Sequence, residues 1–307
     1  MTSEELAWSI RRHGIQMTHC SGASHIGAIL SVADILGVLY TDFLRIRPHQ
    51  PNWPDRDRFV LSKGHAAAAL YACLGELGFF PVANLMRFYQ NGSDLMGHVS
   101  HHVPGVEFST GSLGHGICAA VGMALAAKQD KRPIRVYAVV GDGECNEGTV
   151  WEAAQLGAFF CLDNLTVIVD HNKMQSLDTC EHTLLTGTLA EKWRAFHWHT
   201  VECDGHDHAA LRRVLKDRAP GKPSVIIAHT VKGKGVPFME NDVLWHYRFP
   251  HPGWEYACAV LALHQSKPAG AVDLYTPDGV EDMQLPEAIV WDHTLSATYR
   301  PTWREWE

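Results

Sequence analysis

The sequence predicts an α/β chain: a doubly wound parallel sheet with helices on both faces. Three observations predict it. Short apolar runs recur through the middle of the chain, helical stretches separate them, and turn residues bound each run. The part before the first run reads as helix-rich. Ser31-Val32-Ala33-Asp34 has the form of a capping box and opens a helix to about Phe43. A second helix follows the SKGH turn, in AAAALYACLGELG. Residues 115–130 are small and apolar and form a third, ended by Lys131-Arg132-Pro133. IRVYAVV at 134–140 is an unbroken β-branched run, the pattern of a parallel strand buried on both faces. GDGECNEG comes next, then a helix in TVWEAAQLGAFF. LTVIVD (165–170), WHTVECDG (198–205) and PSVIIAHT (223–230) are three further strands, with a helix over 207–218 before the last. Residues 251–307 are richer in Pro and Trp and weak in periodicity, and predict a short helix and an extended tail that does not fold alone. The division is therefore 1–250, a domain, and 251–307, an extension expected to contact a partner.

Composition narrows the function. With 46% hydrophobic and 20% charged residues, the 307-residue chain is neither disordered nor collagen-like. A net charge of −8 and the lack of a basic run argue against a nucleic-acid groove. No run of about 18 unbroken apolar residues occurs, and MTSEELAWSIRRH has no apolar signal core, so a soluble cytoplasmic chain with no membrane role is expected. The eight cysteines form no CxxC pair and several lie in apolar runs, as buried reduced thiols do. Twenty histidines are more unusual, and a subset could converge where neutral donors and acceptors are needed near pH 7. His197-Trp-His199 straddles a strand start and His206-Asp-His208 a helix start, which speaks against a metal site there.

The chemistry concentrates at two strand ends. Strand 134–140 runs into Gly141-Asp142-Gly143, and strand 165–170 into His171-Asn172-Lys173-Met174. Open α/β sheets bind ligands at such carboxyl ends. Asp142 offers a carboxylate, Asn172 an amide oxygen and Met174 a main-chain carbonyl. Together they make one side of an oxygen shell for Mg²⁺, or Ca²⁺, with the remaining positions open to phosphate and water. Gly141 and Gly143 allow close approach of a diphosphate, and amides at the following helix start favour anionic oxygens.

GDGECNEGTVWEAAQLGAFFCLDNLTVIVDHNKMQS resembles the thiamine-diphosphate motif of transketolases. SGASHIGAILSVADIL, SKGHAAAALYA, GHVSHHVPGVEFSTGSLGHG and VKGKGVPFMENDVLWHY resemble further transketolase segments in the same order, so the likeness spans roughly residues 1–250. It implies the thiamine-diphosphate-binding fold of diphosphate (PP) type, with thiamine diphosphate and Mg²⁺ or Ca²⁺ as cofactors. Asp142, Asn172 and the Met174 carbonyl match the family's metal ligands, and Gly141, Gly143 and Glu144 stand in the loop that meets the diphosphate. His65 and His246 match histidines at the diphosphate and the reaction cleft, and His25 and His98 match histidines that hydrogen-bond sugar hydroxyls. Gly111 and Leu113, in GSLG, match the segment packing against the cofactor rings. Glu147 matches a glutamate at an interface between chains that links two cofactor sites.

His101 and His102 are extra histidines beside His98, and the second metal segment reads His-Asn where the family often has Asn-Asn. Lys232 and Lys234 of KGKG either meet the diphosphate or are solvated loop charges. Trp245, Trp254, Trp291, Trp303 and Trp306 are expected to pack or to meet a partner. A full-length transketolase continues into a pyrimidine-binding domain and a third domain, whereas 57 residues follow position 250 here. The resemblance thus implies one half of a split transketolase, inert alone, that moves a two-carbon ketol unit between sugars in an α2β2 assembly with a pyrimidine-domain subunit. The alternatives are a half-enzyme delivering its two-carbon unit to a carrier-bound or lipoyl acceptor, and a non-catalytic scaffold subunit.

Overall fold

A computed structural model describes residues 1–184 and 187–275 of the chain. Five strands, all parallel, run β1 (Arg58–Leu61), β2 (Val136–Gly141), β3 (Leu165–His171), β4 (His199–Asp204) and β5 (Ser224–His229), and lie in the order β1-β2-β3-β5-β4. Alternation along each strand sends side chains to two cores. Tyr137, Val139, Ile168 and Ile226 join one core with helices α1 (Ser3–Ser21), α2 (Ile26–Val38), α3 (Ala67–Glu76), α8 (His208–Lys216) and α9 (Trp254–Gln265). Val136, Ala138 and Val140 face the other way and join Val167 and Ile227 in a second core with α4 (His115–Gln129), α5 (Gly148–Phe159) and α7 (Leu189–Ala195).

The four strands expected from sequence are all present, each within two residues of its expected ends. The short edge strand β1, the helix α1, the short helix α6 (Cys180–Thr183) and α7 lie outside the expected elements. One expectation is overturned: Ser31 to Asp34 is no capping box. Helix α2 begins at Ile26, and His25 before it has left-handed backbone, φ 75°. Ser31 and Asp34 are both buried inside the helix. The Ser31 hydroxyl donates to Asp170 Oδ2 over 2.7 Å, and Asp34 pairs with Arg11, His206 and His208. The capping box of this region belongs to Thr2 and Glu5, which open α1. Residues 26–43 are apolar and long enough to cross a membrane, but most of that stretch is buried in the first core.

The described part of the tail does form a short helix, α9, and it clings to its own chain. Trp8 Nε1 donates to the Leu263 carbonyl over 2.8 Å, and Arg12 pairs with Asp273 over 3.1 Å. Trp245 is fully buried, and Trp254 is half exposed. Trp291, Trp303 and Trp306 lie outside the described residues.

Candidate active site

The register aligns Gly141 with Asp170 and Asp170 with Ala228, so the carboxyl ends of β2, β3 and β5 lie side by side. A cavity of about 250 Å³ opens there. Its floor is a buried ion pair: Lys63 Nζ donates to Asp170 Oδ2, with the two side chains 1% and 0% exposed. Asp170 also accepts from the hydroxyls of Ser31 and Thr230. These donors and the lysine hold its carboxyl below the usual range despite the cost of burial. Sequence reading passes over Lys63 and Asp170, because a charge at a strand end is normally solvated.

Asp142, Asn172 and Met174 all line this cavity. Main-chain amides already orient the first two: Asp142 Oδ1 accepts from Gly143 N over 2.8 Å, and Asn172 Oδ1 accepts from Met174 N over 3.1 Å. Burial, then the nearby charge of Asp170, pushes the Asp142 carboxyl up to about 6. A carboxylate so burdened is one that a divalent cation relieves. A carboxylate, an amide oxygen and a carbonyl form an all-oxygen donor set suited to a hard cation, so the residues present fit Mg²⁺ or Ca²⁺.

Of the two KGKG lysines, Lys232 is buried in the cavity and is no solvated loop charge. Its ammonium reaches the Gln175 carbonyl at 2.9 Å and His246 Nδ1 at 2.8 Å inside the cavity. Burial and the charge of Lys63 bring it down to about 8. Lys234 instead lies partly exposed, 3.9 Å from Glu240. Two lysines and the start of the turn after β2 thus surround a space with the chemistry of a diphosphate site.

The four predicted histidines gather around the mouth. Ring centroids are 4.9 Å apart for His25 and His246, 5.1 Å for His25 and His65, and 5.9 Å for His25 and His98. Burial and the adjacent positive groups lower His25 to about 4 and His246 to about 3, and hold His65 well below its ordinary value. All three rings are therefore neutral at pH 7, able to donate from one nitrogen and accept at the other. His25 Nδ1 is buried without a partner among the described residues, an atom left for a ligand. Of the three neighbouring histidines, only His98 lines the cavity; His101 and His102 are exposed.

Gly111, Leu113, Gly141 and Gly143 line the same space. Gly111 lies against His98, where an added Cβ would come within 3.2 Å of the ring. Glu144 also borders the cavity, but its carboxylate accepts from the Ser62 hydroxyl at 2.5 Å, Gly114 N at 2.8 Å and Gly141 N at 3.0 Å. It clamps three segments together. Glu147 is not brought to the cavity; it is exposed at the N-terminus of α5. His206 and His208, by contrast, both hydrogen-bond Asp34.

Similarity to known proteins points the same way. Residues 2–247 match the family described as transketolase, thiamine diphosphate binding domain. The chain is 41% identical over 244 residues to the 6-deoxy-6-sulfo-D-fructose transketolase subunit SqwG of a Clostridium species, covering 78% of this chain and 89% of that one. It is 42% identical over 250 residues to one subunit of the apulose-4-phosphate transketolase of Actinobacillus succinogenes, covering 80% and 91%. Its fold is similar to that of the Campylobacter jejuni transketolase, with a TM-score of 0.80 at 29% identity over 91% of this chain and 45% of the other. Against mouse transketolase, 39% identical, the match spans 39% of the relative's length.

Proposed function

The chain belongs to the thiamine-diphosphate-binding transketolase family, and from that premise we propose that it is the coenzyme-anchoring subunit of a two-component transketolase. It transfers a two-carbon ketol unit from a ketose to an aldose or related acceptor. One observation carries the reading: the three oxygen donors, Lys232 and four histidines converge on a single cavity. The names of the relatives, subunits of transketolases for a sulfo-sugar and for apulose 4-phosphate, support a separate partner chain and sugar substrates. We assign that partner the pyrimidine-binding domain, in an α2β2 assembly, and place the complex in the cytoplasm.

Bound thiamine diphosphate supplies the electron sink for breaking and forming the carbon–carbon bond beside a ketose carbonyl. Asp142, Asn172 and the Met174 carbonyl would hold its metal, and Lys232 and His65 its diphosphate. His25 and His98 stand where they can donate to a sugar oxygen and accept from a hydroxyl as protons move. Removing one such positioned donor costs about 10²–10³ in rate. The neutral state of His25 keeps both of these capacities at pH 7.

The test is co-expression with the partner chain, followed by ketol transfer with and without thiamine diphosphate and Mg²⁺. Activity that depends on both chains and both cofactors is expected, with Asp142→Asn abolishing the metal-dependent activity. Turnover by this chain alone at the rate of the pair would overturn the assignment.

A further inference from the structure

We propose that a second cavity, at the opposite end of the sheet, binds a small phosphorylated molecule that carries a hydroxyl group. It measures about 500 Å³, and its lining includes Arg45, Arg132, Arg135 and Arg218 with apolar Phe43 and Ile134. Arg135 directly precedes β2, and Asn164, also in the lining, directly precedes β3. The cavity therefore sits at the amino ends of the strands, the length of a strand (roughly 20 Å) from the candidate active site.

The charges there do not cancel. Arg45 pairs with Asp57 at 3.0 Å, and Arg132 with Asp55 at 2.8 Å. Asp57 also accepts from the backbone amides of Arg45 and Arg135, so its oxygens are taken. Asp163 pairs with Lys128 at 3.0 Å. Arg135 and Arg218 form no ion pair among the described residues. Arg218 donates from Nη2 to the Tyr137 hydroxyl at 3.0 Å, while its Nε is buried without a partner among the described residues. A buried, unmatched guanidinium donor is costly, and its planar fork suits a phosphate.

A second orphan defines the rest of the ligand. Asn164 donates from Nδ2 to the Ala124 carbonyl at 2.9 Å, yet its Oδ1 is buried with no hydrogen-bond donor among the described residues. A fully ionised phosphoryl group has no proton to offer an acceptor, whereas an alcohol hydroxyl on the same molecule donates whatever the phosphate's charge. The volume is ample for a small phosphorylated polyol.

Titration calorimetry on the full chain tests this with inorganic phosphate, glycerol and glycerol 3-phosphate. Glycerol 3-phosphate is expected to bind more tightly than phosphate, and glycerol not to bind. Arg135→Gln, a change at an exposed side chain, should weaken glycerol 3-phosphate by about tenfold, the scale of one charge-assisted contact. Arg218→Lys, which keeps the charge and loses the fork, should weaken it comparably. Lys232→Gln, in the other cavity, should leave it unchanged, and the ketol transfer of the complex should survive both arginine changes. Equal binding of phosphate and glycerol 3-phosphate would overturn the hydroxyl requirement. Binding lost with Lys232→Gln and kept in the arginine variants, or no binding at millimolar ligand, would overturn the site itself. Neither result bears on the proposed ketol transfer.

Discussion

The backbone N–H of His25 donates to the carbonyl oxygen of His246 over 2.8 Å. This bond ties the entry of α2 to the segment near the end of the matched family region, and it brings the two rings edge to face. Both imidazoles are thus placed through main chain, while His25 Nδ1 has no hydrogen-bond partner among the described residues.

The left-handed backbone at His25 makes its replacements unequal. Asn accepts such a conformation readily, whereas a β-branched residue does not. His25→Asn should melt close to the native chain and lower ketol transfer by about 10²-fold. His25→Val should additionally destabilise the fold by about 1–3 kcal/mol. Thermal melting and turnover measured side by side check both halves of the expectation.

Lys63→Met would leave the Asp170 carboxylate fully buried without its cation. A loss of about 3–5 kcal/mol is expected, as for other broken buried pairs. The double change Lys63→Met with Asp170→Leu should recover part of that loss, because no uncompensated charge remains. Denaturant unfolding of the native chain, the two single variants Lys63→Met and Asp170→Leu, and the double variant gives the coupling energy, and equal stability of Lys63→Met and the double variant would contradict it.

Glu144→Gln replaces an oxygen acceptor by an NH₂ group that must face a backbone or hydroxyl donor. At least one of the bonds to Ser62, Gly114 or Gly141 is then lost. The expected cost is about 1–3 kcal/mol. Because those segments border the cavity, coenzyme affinity should weaken too, readable by calorimetry with Mg²⁺ present.

Acid should destabilise the coenzyme-free, metal-free chain. His25 and His246 titrate at 6.5 when unfolded but at about 4 and about 3 when folded. Between these values the unfolded chain takes up protons that the folded chain refuses, so stability falls as pH drops from 6.5. The slope is at most about 1.4 kcal/mol per pH unit for each ring, and less here because both are partly open to solvent. Asp142 opposes this: raised to about 6 from 3.8, it favours the folded chain as pH falls through that window. Glu107 and Glu144, also raised by burial, act in the same sense as Asp142, but His65 and His171 join His25 and His246 on the other side, and four lowered imidazoles outweigh three raised carboxyls. Melting temperatures between pH 7 and 5 should therefore decline, and His246→Gln should flatten the decline.

The central strands are legible because β2, β3 and β5 are apolar on both faces, which leaves continuous runs such as Val136–Val140. Edge strand β1 is only four residues, too short to signal itself. Ser31 and Asp34 mislead because the residue types of a capping box are also those of buried hydrogen-bonding groups, and only Asp170 and Arg11 across the fold distinguish the two cases. The site's oxygen donors are readable from the two strand ends and their spacing, whereas the four histidines are singled out only by the resemblance to transketolase segments. The Lys63–Asp170 floor is not, since each charge looks ordinary until its partner is placed beside it.

The amide tethers on Asp142 and Asn172 have a kinetic consequence. On the proposed metal assignment, oxygens already tethered to main-chain amides need no rotamer search, so loading would wait on the ion and not on the polypeptide. The rate of filling should then follow how quickly each metal sheds its hydration sphere, and tightly hydrated Mg²⁺ should enter more slowly than Ca²⁺.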